Sequence, residues 1–161
     1  MNKIYLITPN KLNKRFYNYL PKVLSTKKIK FLQVRCKKLS KVKLLNHIKK
    51  IIPIVKKYNT KLVINDYPEL ASAFNCGFHL GQRDLKNKLN KQYLAKKKFF
   101  GITCHNSIAL GRKAMKYKPD YLAFGAFFKT KTKNVKFVAN PTIIKKAKKI
   151  FKIPIVGIGG I

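Results

Sequence analysis

Seven short apolar, β-rich runs punctuate the chain, at 4–8, 29–34, 61–65, 77–80, 99–103, 120–125 and 153–158, and stretches with helical character separate them. That alternation limits the fold more than any other feature. Short apolar strands joined by helical crossovers require a parallel sheet whose faces are covered by helices. Two α/β architectures compete. A doubly wound sheet ordinarily has five or six strands and marks a dinucleotide site with a glycine-rich turn after its first strand. This chain has seven runs and no GxGxxG near its start, which favours a TIM (β/α)8 barrel. A complete barrel has eight strands and about 200 residues or more. The 161 residues end just after the seventh run. The expectation is therefore a single barrel domain over 1–161, truncated after strand seven, with the helix seven and strand eight region missing.

Between the strands, helical segments are expected at 16–24, 40–58, 68–74, 86–97 and 106–117, with a further helix starting at Pro141. Pro suits the first helical turn. Pro21 is expected to limit the first helix, and Pro53 to kink or shorten the second. In the second, Val42, Leu44, Leu45, Ile48, Ile51, Ile52 and Val55 recur close to the helical period. Asn106 or Ser107 is the expected cap of the fifth. Residues 127–139 read as a long loop.

Charge is the next constraint. With 38 Lys+Arg against 4 Asp+Glu the net charge is +34. Such a field suits nucleic acid, yet the cations are almost all Lys, with Arg only at Arg15, Arg35, Arg83 and Arg112. The accompanying excess of Ile, Asn, Phe and Tyr is what AT-rich codons produce. The lysines lie along helical stretches such as KVKLLNHIKKIIPIVKKY, where a solvated helix face accounts for them. No nucleic-acid partner is expected; the field would help recruit phosphorylated small molecules. Cys36, Cys76 and Cys104 are an odd number, far apart, with no CxxC pair, so a disulfide framework or zinc site is not expected and a reducing cytoplasm is. No signal peptide and no run of about 20 apolar residues is present, so no membrane partner is expected.

Three of the four carboxylates fall within 61–85: Asp66, Glu69 and Asp84. Asp66 and Asp84 each follow a strand-like run, LVIN and FHLGQ. The plain structural reading is that Asp66 caps the next helix and Asp84 opens a turn. The functional reading starts from the rule that parallel α/β folds gather their chemistry at strand C-termini. Those ends hold Thr8; Gln33, Arg35 and Lys37; Asn65 and Asp66; Gln82 and Asp84; Thr103 and His105; Gly125; and Gly159 with Gly160. The loop after strand six adds Thr130, Thr132 and Lys133. Neighbouring strands lie about 5 Å apart, so Asp66 and Asp84 can share one small hard cation. Mg²⁺ binds through one or two carboxylates plus substrate phosphates. Arg35, Lys37 and Lys133 would hold phosphate oxygens, and the Gly159–Gly160 turn would offer backbone N–H groups to a second phosphate. Position alone thus points to a Mg²⁺-dependent enzyme acting on phosphorylated small molecules.

The wording of the motifs is more specific. YLIT (5–8), QVRCK (33–37), LVIND (62–66), HLGQRDL (79–85), GITCHN (101–106), DYLAFGAFFKTKTK (120–133) and IPIVGIGGI (153–161) follow in an order and spacing that resembles the thiamine phosphate synthase family over essentially the whole chain. The resemblance implies a (β/α)8 barrel that joins 4-amino-5-hydroxymethyl-2-methylpyrimidine diphosphate to a thiazole phosphate, giving thiamine phosphate and pyrophosphate. It implies that Gln33, Arg35, Lys37 and Asn65 contact the pyrimidine diphosphate and that Asp66 and Asp84 bind Mg²⁺. By the same resemblance Thr103 stands near the diphosphate where a serine is usual, and Lys133 contacts that diphosphate. Thr130, Thr132 and the Gly160 backbone contact the thiazole phosphate. Arg35, Lys37 and Lys133 are the catalytic candidates. This chain departs from the family's pattern at Cys36 and Arg83, where acidic residues are common, and at Ala126, where proline is common.

In this reading Mg²⁺ and the cations stabilise charge on departing pyrophosphate. The electron-rich aminopyrimidine supports positive charge on its methylene, and the thiazole nitrogen captures that carbon. No protein nucleophile is needed. His79 is expected to be a structural strand-end group and His47 to face solvent. The related thiazole tautomerase, an isomerase on the same fold, is the nearest rival; it uses a histidine at the position of Ala126 and lacks the full metal pair. A basic RNA-binding module is the non-enzyme rival and would interleave surface aromatics with lysines. Here Tyr5, Phe31, Phe78, Phe99, Phe100, Tyr121 and Phe124 fall in the strand runs and read as core. If the chain is whole, a homo-oligomer or another chain is expected to cover the open barrel edge.

Overall fold

Strand–helix alternation runs through the whole of the computed structural model, which describes residues 3–95, 98–128 and 138–161. The fold divides into two compact units between Gly77 and Phe78.

The first unit contains β1 (Ile4–Ile7), α1 (Lys14–Ser25), β2 (Ile29–Val34), α2 (Lys41–Lys57), β3 (Lys61–Asn65) and α3 (Pro68–Ala73). β2 pairs in parallel with β1 and with β3, so that Ile7 lies beside Gln33 and Gln33 beside Val63. Leu32, Val34, Val63 and Ile64 are buried, as expected for a sheet whose strands are apolar on both faces. Asn13 and Ser40 cap α1 and α2, their side-chain oxygens accepting from the Phe16 and Lys43 N–H groups.

Neither proline shortens its helix. Pro21 lies inside α1, where burial of Leu20 and Leu24 holds both sides of it. Pro53 lies inside α2 on the exposed face. The carbonyl it cannot bond belongs to Lys49, also an exposed residue, so the missing donor costs less than it would in a buried turn. Leu44, Ile48, Ile51 and Val55 form the buried stripe of α2, whereas Val42 at its start is 68% exposed.

The second unit carries β4 (Gly77–Leu80, its first residue closing the first unit), a single 3₁₀ turn (Asp84–Lys86), α4 (Lys88–Leu94), β5 (Phe100–His105), α5 (Ile108–Met115), β6 (Tyr121–Phe124), α6 (Thr142–Ile150) and β7 (Ile155–Gly157). β5 pairs in parallel with β4 and β6, and β6 with β7. Phe78, Leu80, Ile102, Leu122 and Phe124 fill the core. The expected helix at 86–97 is thus a 3₁₀ turn followed by a shorter helix. β5 runs two residues further than its apolar run suggested, and its register with β6 shifts between Thr103 and His105. Ser107, not Asn106, caps α5, accepting from the Leu110 N–H. Of the loop expected at 127–139, residues 129–137 lie outside the described residues.

No helix among the described residues is long and apolar enough to cross a membrane. All three cysteines are free thiols. Burial pushes the Cys104 thiol up to about 12 and raises Cys36 as well, against the opposing pull of Thr8 and Arg35.

Candidate functional site

In the first unit, Thr8 organises the strand ends. Its N–H donates to the Gln33 carbonyl at 3.0 Å, and its Oγ1 accepts the Arg35 N–H at 3.0 Å. The chain leaving β2 is therefore tied to the end of β1, just where the QVRCK stretch begins. The Gln33 side chain is buried, and its amide donates to the Tyr5 hydroxyl at 3.1 Å. Cys36 is buried too, its thiol against the Pro9 carbonyl and Thr8 Oγ1.

Beyond β3, Asp66 takes φ +66°, a left-handed conformation that Asp tolerates better than most residues. Its carboxylate lies 3.6 Å from Lys37 Nζ. Asn65, Asp66, Tyr67, Cys36, Lys37 and Leu44 line a cavity of about 120 Å³. Gln33, Arg35 and Lys37 on β2 and its following loop, with Asn65 and Asp66 on β3 and its loop, are thus gathered at one end of this unit. Asp66 does not cap α3, whose N-cap is Tyr67 without a side-chain bond. Glu69, in contrast, is structural: it pairs with Lys41 at 2.7 Å.

In the second unit, Asp84 opens the 3₁₀ turn and its Oδ2 accepts the Gly81 N–H at 2.9 Å. A side chain on Gly81 would meet that same oxygen at 2.9 Å, so the glycine lets the carboxylate fold back on the loop. The turn-opening reading of Asp84 is realised. Thr103 is buried in the C-terminal half of β5; its hydroxyl bonds His79 Nε2 at 2.7 Å, and its carbonyl accepts the Gln82 side-chain amide. His79 is buried and bonded at both ring nitrogens, with Tyr121 at 2.9 Å from Nδ1. His105 is exposed with φ +51°, its carbonyl accepting the Gly125 N–H.

Past β7, Gly159 has φ +94° and Gly160 φ +79°. A Cβ on Gly159 would stand 2.3 Å from that of Ala126. The Gly159 carbonyl accepts from both Phe127 and Phe128 N–H groups, at 3.1 and 3.0 Å. In a trans peptide C=O and N–H point oppositely, so the Gly160 N–H is turned away from those donors. Thr130, Thr132 and Lys133 lie outside the described residues.

One expectation is corrected. His47 does not face solvent: it is half-buried and stacks on Tyr17, whose hydroxyl is 2.6 Å from Nδ1. Burial lowers its pKa from 6.5, with Lys50 adding to the effect. The sequence reading also passed over Tyr5, Tyr67 and Tyr121. For Tyr121 a signal existed: a glycine inside a strand, Gly101, marks close approach by another group.

Parallel strands alternating with helices, and polar side chains gathered at strand C-termini, are the marks of a (β/α)-barrel enzyme. A structure of the same fold confirms the class: thiamine phosphate pyrophosphorylase from Pyrococcus furiosus matches at a TM-score of 0.81 and 25% identity, over 99% of this chain and 76% of that one. The family model for thiamine monophosphate synthase matches residues 4–161, and the chain belongs to that family. It is 49% identical over 160 residues to a thiamine-phosphate synthase of Pelagibacter ubique, covering 98% of this chain and 77% of the relative. A second thiamine-phosphate synthase, from Rhodospirillum centenum, is 33% identical over 161 residues, covering 99% and 78%.

Proposed function

We propose that this chain is a thiamine phosphate synthase: a transferase that joins the pyrimidine methylene of a pyrimidine diphosphate to the nitrogen of a thiazole phosphate. The observation that carries the reading is the 49% identity to a thiamine-phosphate synthase over nearly the whole chain. The arrangement at the ends of β2 and β3 supports it. A lysine and a carboxylate flank a small cavity that the buried Asn65 also lines, a setting that suits a charged substrate.

Among the described residues no group of three or more His, Cys, Asp or Glu side chains stands together. Asp66 and Asp84 are each hard oxygen donors of the kind Mg²⁺ takes, since it binds through one or two carboxylates and completes its shell with substrate phosphate and water. That Asp66 already sits beside a cation, Lys37 Nζ, supports it as a cation ligand. Bound there, Mg²⁺ would supply charge compensation to the leaving pyrophosphate.

The chain's own groups do the rest. Arg35 and Lys37, with Lys133, hold the diphosphate oxygens and stabilise the charge that grows on them as the C–O bond breaks. Gln33 and Asn65 fix the pyrimidine. The Gly160 N–H, with Thr130 and Thr132, holds the thiazole phosphate, so the two reactants are oriented rather than activated by a protein nucleophile. Partners are small phosphorylated molecules, and the cytoplasm is the proposed site of action.

The test is direct. Purified protein given both substrates and Mg²⁺ forms thiamine phosphate and pyrophosphate in equal amounts, and EDTA stops the reaction. A folded protein that yields neither product overturns the reading. Turnover of the thiazole alone would support the isomerase instead.

A further inference from the structure

Lateral register sets His79 beside Gly101, and Gly101 beside Tyr121, across β4, β5 and β6. A Cβ on Gly101 would lie 1.9 Å from Tyr121 Cζ. The phenol ring therefore occupies the space that a side chain on the middle strand would fill. It crosses β5 to stack on His79, with centroids 5.6 Å apart. There the Tyr121 hydroxyl bonds Nδ1, and Nε2 bonds Thr103 Oγ1. Tyr121, His79 and Thr103 are 3%, 4% and 9% exposed, so the three polar groups form a buried line ending at Thr103 in the C-terminal half of β5.

A neutral imidazole carries one N–H, so the bond made at one nitrogen decides the role of the other. A phenol is more acidic than an aliphatic alcohol and is the stronger donor. Its oxygen, conjugated with the ring, is the weaker acceptor. Both ends of the line therefore favour one direction. The Tyr121 O–H donates to Nδ1, and Nε2–H donates to Thr103 Oγ1. Thr103 then uses a lone pair inward and keeps its own hydrogen to donate outward. In the reverse direction the Thr103 hydrogen would be held by Nε2, and the oxygen would offer an anion only lone pairs.

We propose that His79 and Tyr121 are positioning residues that fix the Thr103 hydroxyl as a hydrogen-bond donor to a diphosphate oxygen. This rests on the reading of Thr103 as a diphosphate contact. Gly101 is part of the device, since only its missing side chain lets the tyrosine reach the histidine.

Two measurements test it. Nitrogen-15 spectra of histidine-labelled protein, with the His79 signals identified through His79→Asn, are expected to show Nε2 protonated and Nδ1 bare. Calorimetry with pyrophosphate in excess Mg²⁺ is expected to show affinity reduced on the order of fivefold in Tyr121→Phe, the scale of one hydrogen bond. Thr103→Val should lose a similar factor, the double variant no more than either single one, and Thr103→Ser should bind normally. A ring protonated at Nδ1, or a folded Tyr121→Phe protein that binds pyrophosphate like the parent, overturns the positioning role. If Thr103→Val alone binds like the parent, the diphosphate contact itself fails and the proposal falls with it.

Discussion

Every one of the four acidic side chains has a partner, and the partners differ in kind. Asp120 accepts the Phe100 N–H at 2.7 Å, Asp84 the Gly81 N–H at 2.9 Å, and Glu69 pairs with Lys41 at 2.7 Å. Asp66 has a looser lysine at 3.6 Å, on a carboxylate side chain that is 26% exposed. Asp66→Asn is expected to lower turnover at least about 100-fold, the scale of a lost charge-stabilising element; near-normal turnover would remove Asp66 as a metal ligand. Gly159→Ala forces a side chain into a left-handed position already filled by Ala126. It is expected to cost about 1–3 kcal/mol in urea unfolding and to raise KM for the thiazole phosphate more than for the pyrimidine. His47 carries a pH dependence. Its pKa is lowered in the folded chain, so between that value and 6.5 the unfolded chain binds more protons. Its contribution is complete above pH 6.5 and is lost as pH falls through the folded pKa. The urea midpoint is expected to drop less on acidification in His47→Asn than in the parent; equal slopes would refute this.

At the level of elements, burial decides more than local propensity. Pro21 and Pro53 both sit inside helices that continue past them. Leu20 and Leu24 anchor α1 on either side of the first, and Ile51 and Val55 flank the second. The buried stripe of α2 makes a sharp expectation: Ile48→Ala, at a fully buried position, costs about 2–5 kcal/mol. Lys49→Ala on the exposed face should stay within about 0.5 kcal/mol. Comparable losses at both sites would mean that α2 does not pack as described. Strand positions were legible because apolar runs on both faces have no other soluble use. Strand ends were less so. β5 extends to His105 through a register shift with β6, which depends on the neighbouring strand and not on the local sequence.

For the molecule as a whole, charge and fold are separate matters. A net charge of +34 opposes compaction through self-repulsion. Raising NaCl from about 0.05 to 0.5 M, which shortens the screening length severalfold, is expected to raise the urea midpoint; a flat or falling midpoint would refute self-repulsion as a limit on stability. The barrel class could be read from the order of strands and helices, and the family from the resemblance that the motifs carry. Gln33, Arg35, Lys37, Asn65 and Asp66 lie at or just past strand ends as expected, whereas Thr103 lies two residues inside β5. The hydrogen-bond partners of those residues could not be read. Seven apolar runs in alternation with helices, with no glycine-rich turn after the first, determined the architecture, because a chain that must cover both faces of its inner strands has few ways to do it. Only the tertiary structure decided that Tyr121 crosses an empty place at Gly101 to reach His79, that Tyr5 holds Gln33, and that Lys37 stands by Asp66. Each of these joins residues far apart in the chain, and which distant groups meet depends on strand register and on the space neighbouring side chains leave.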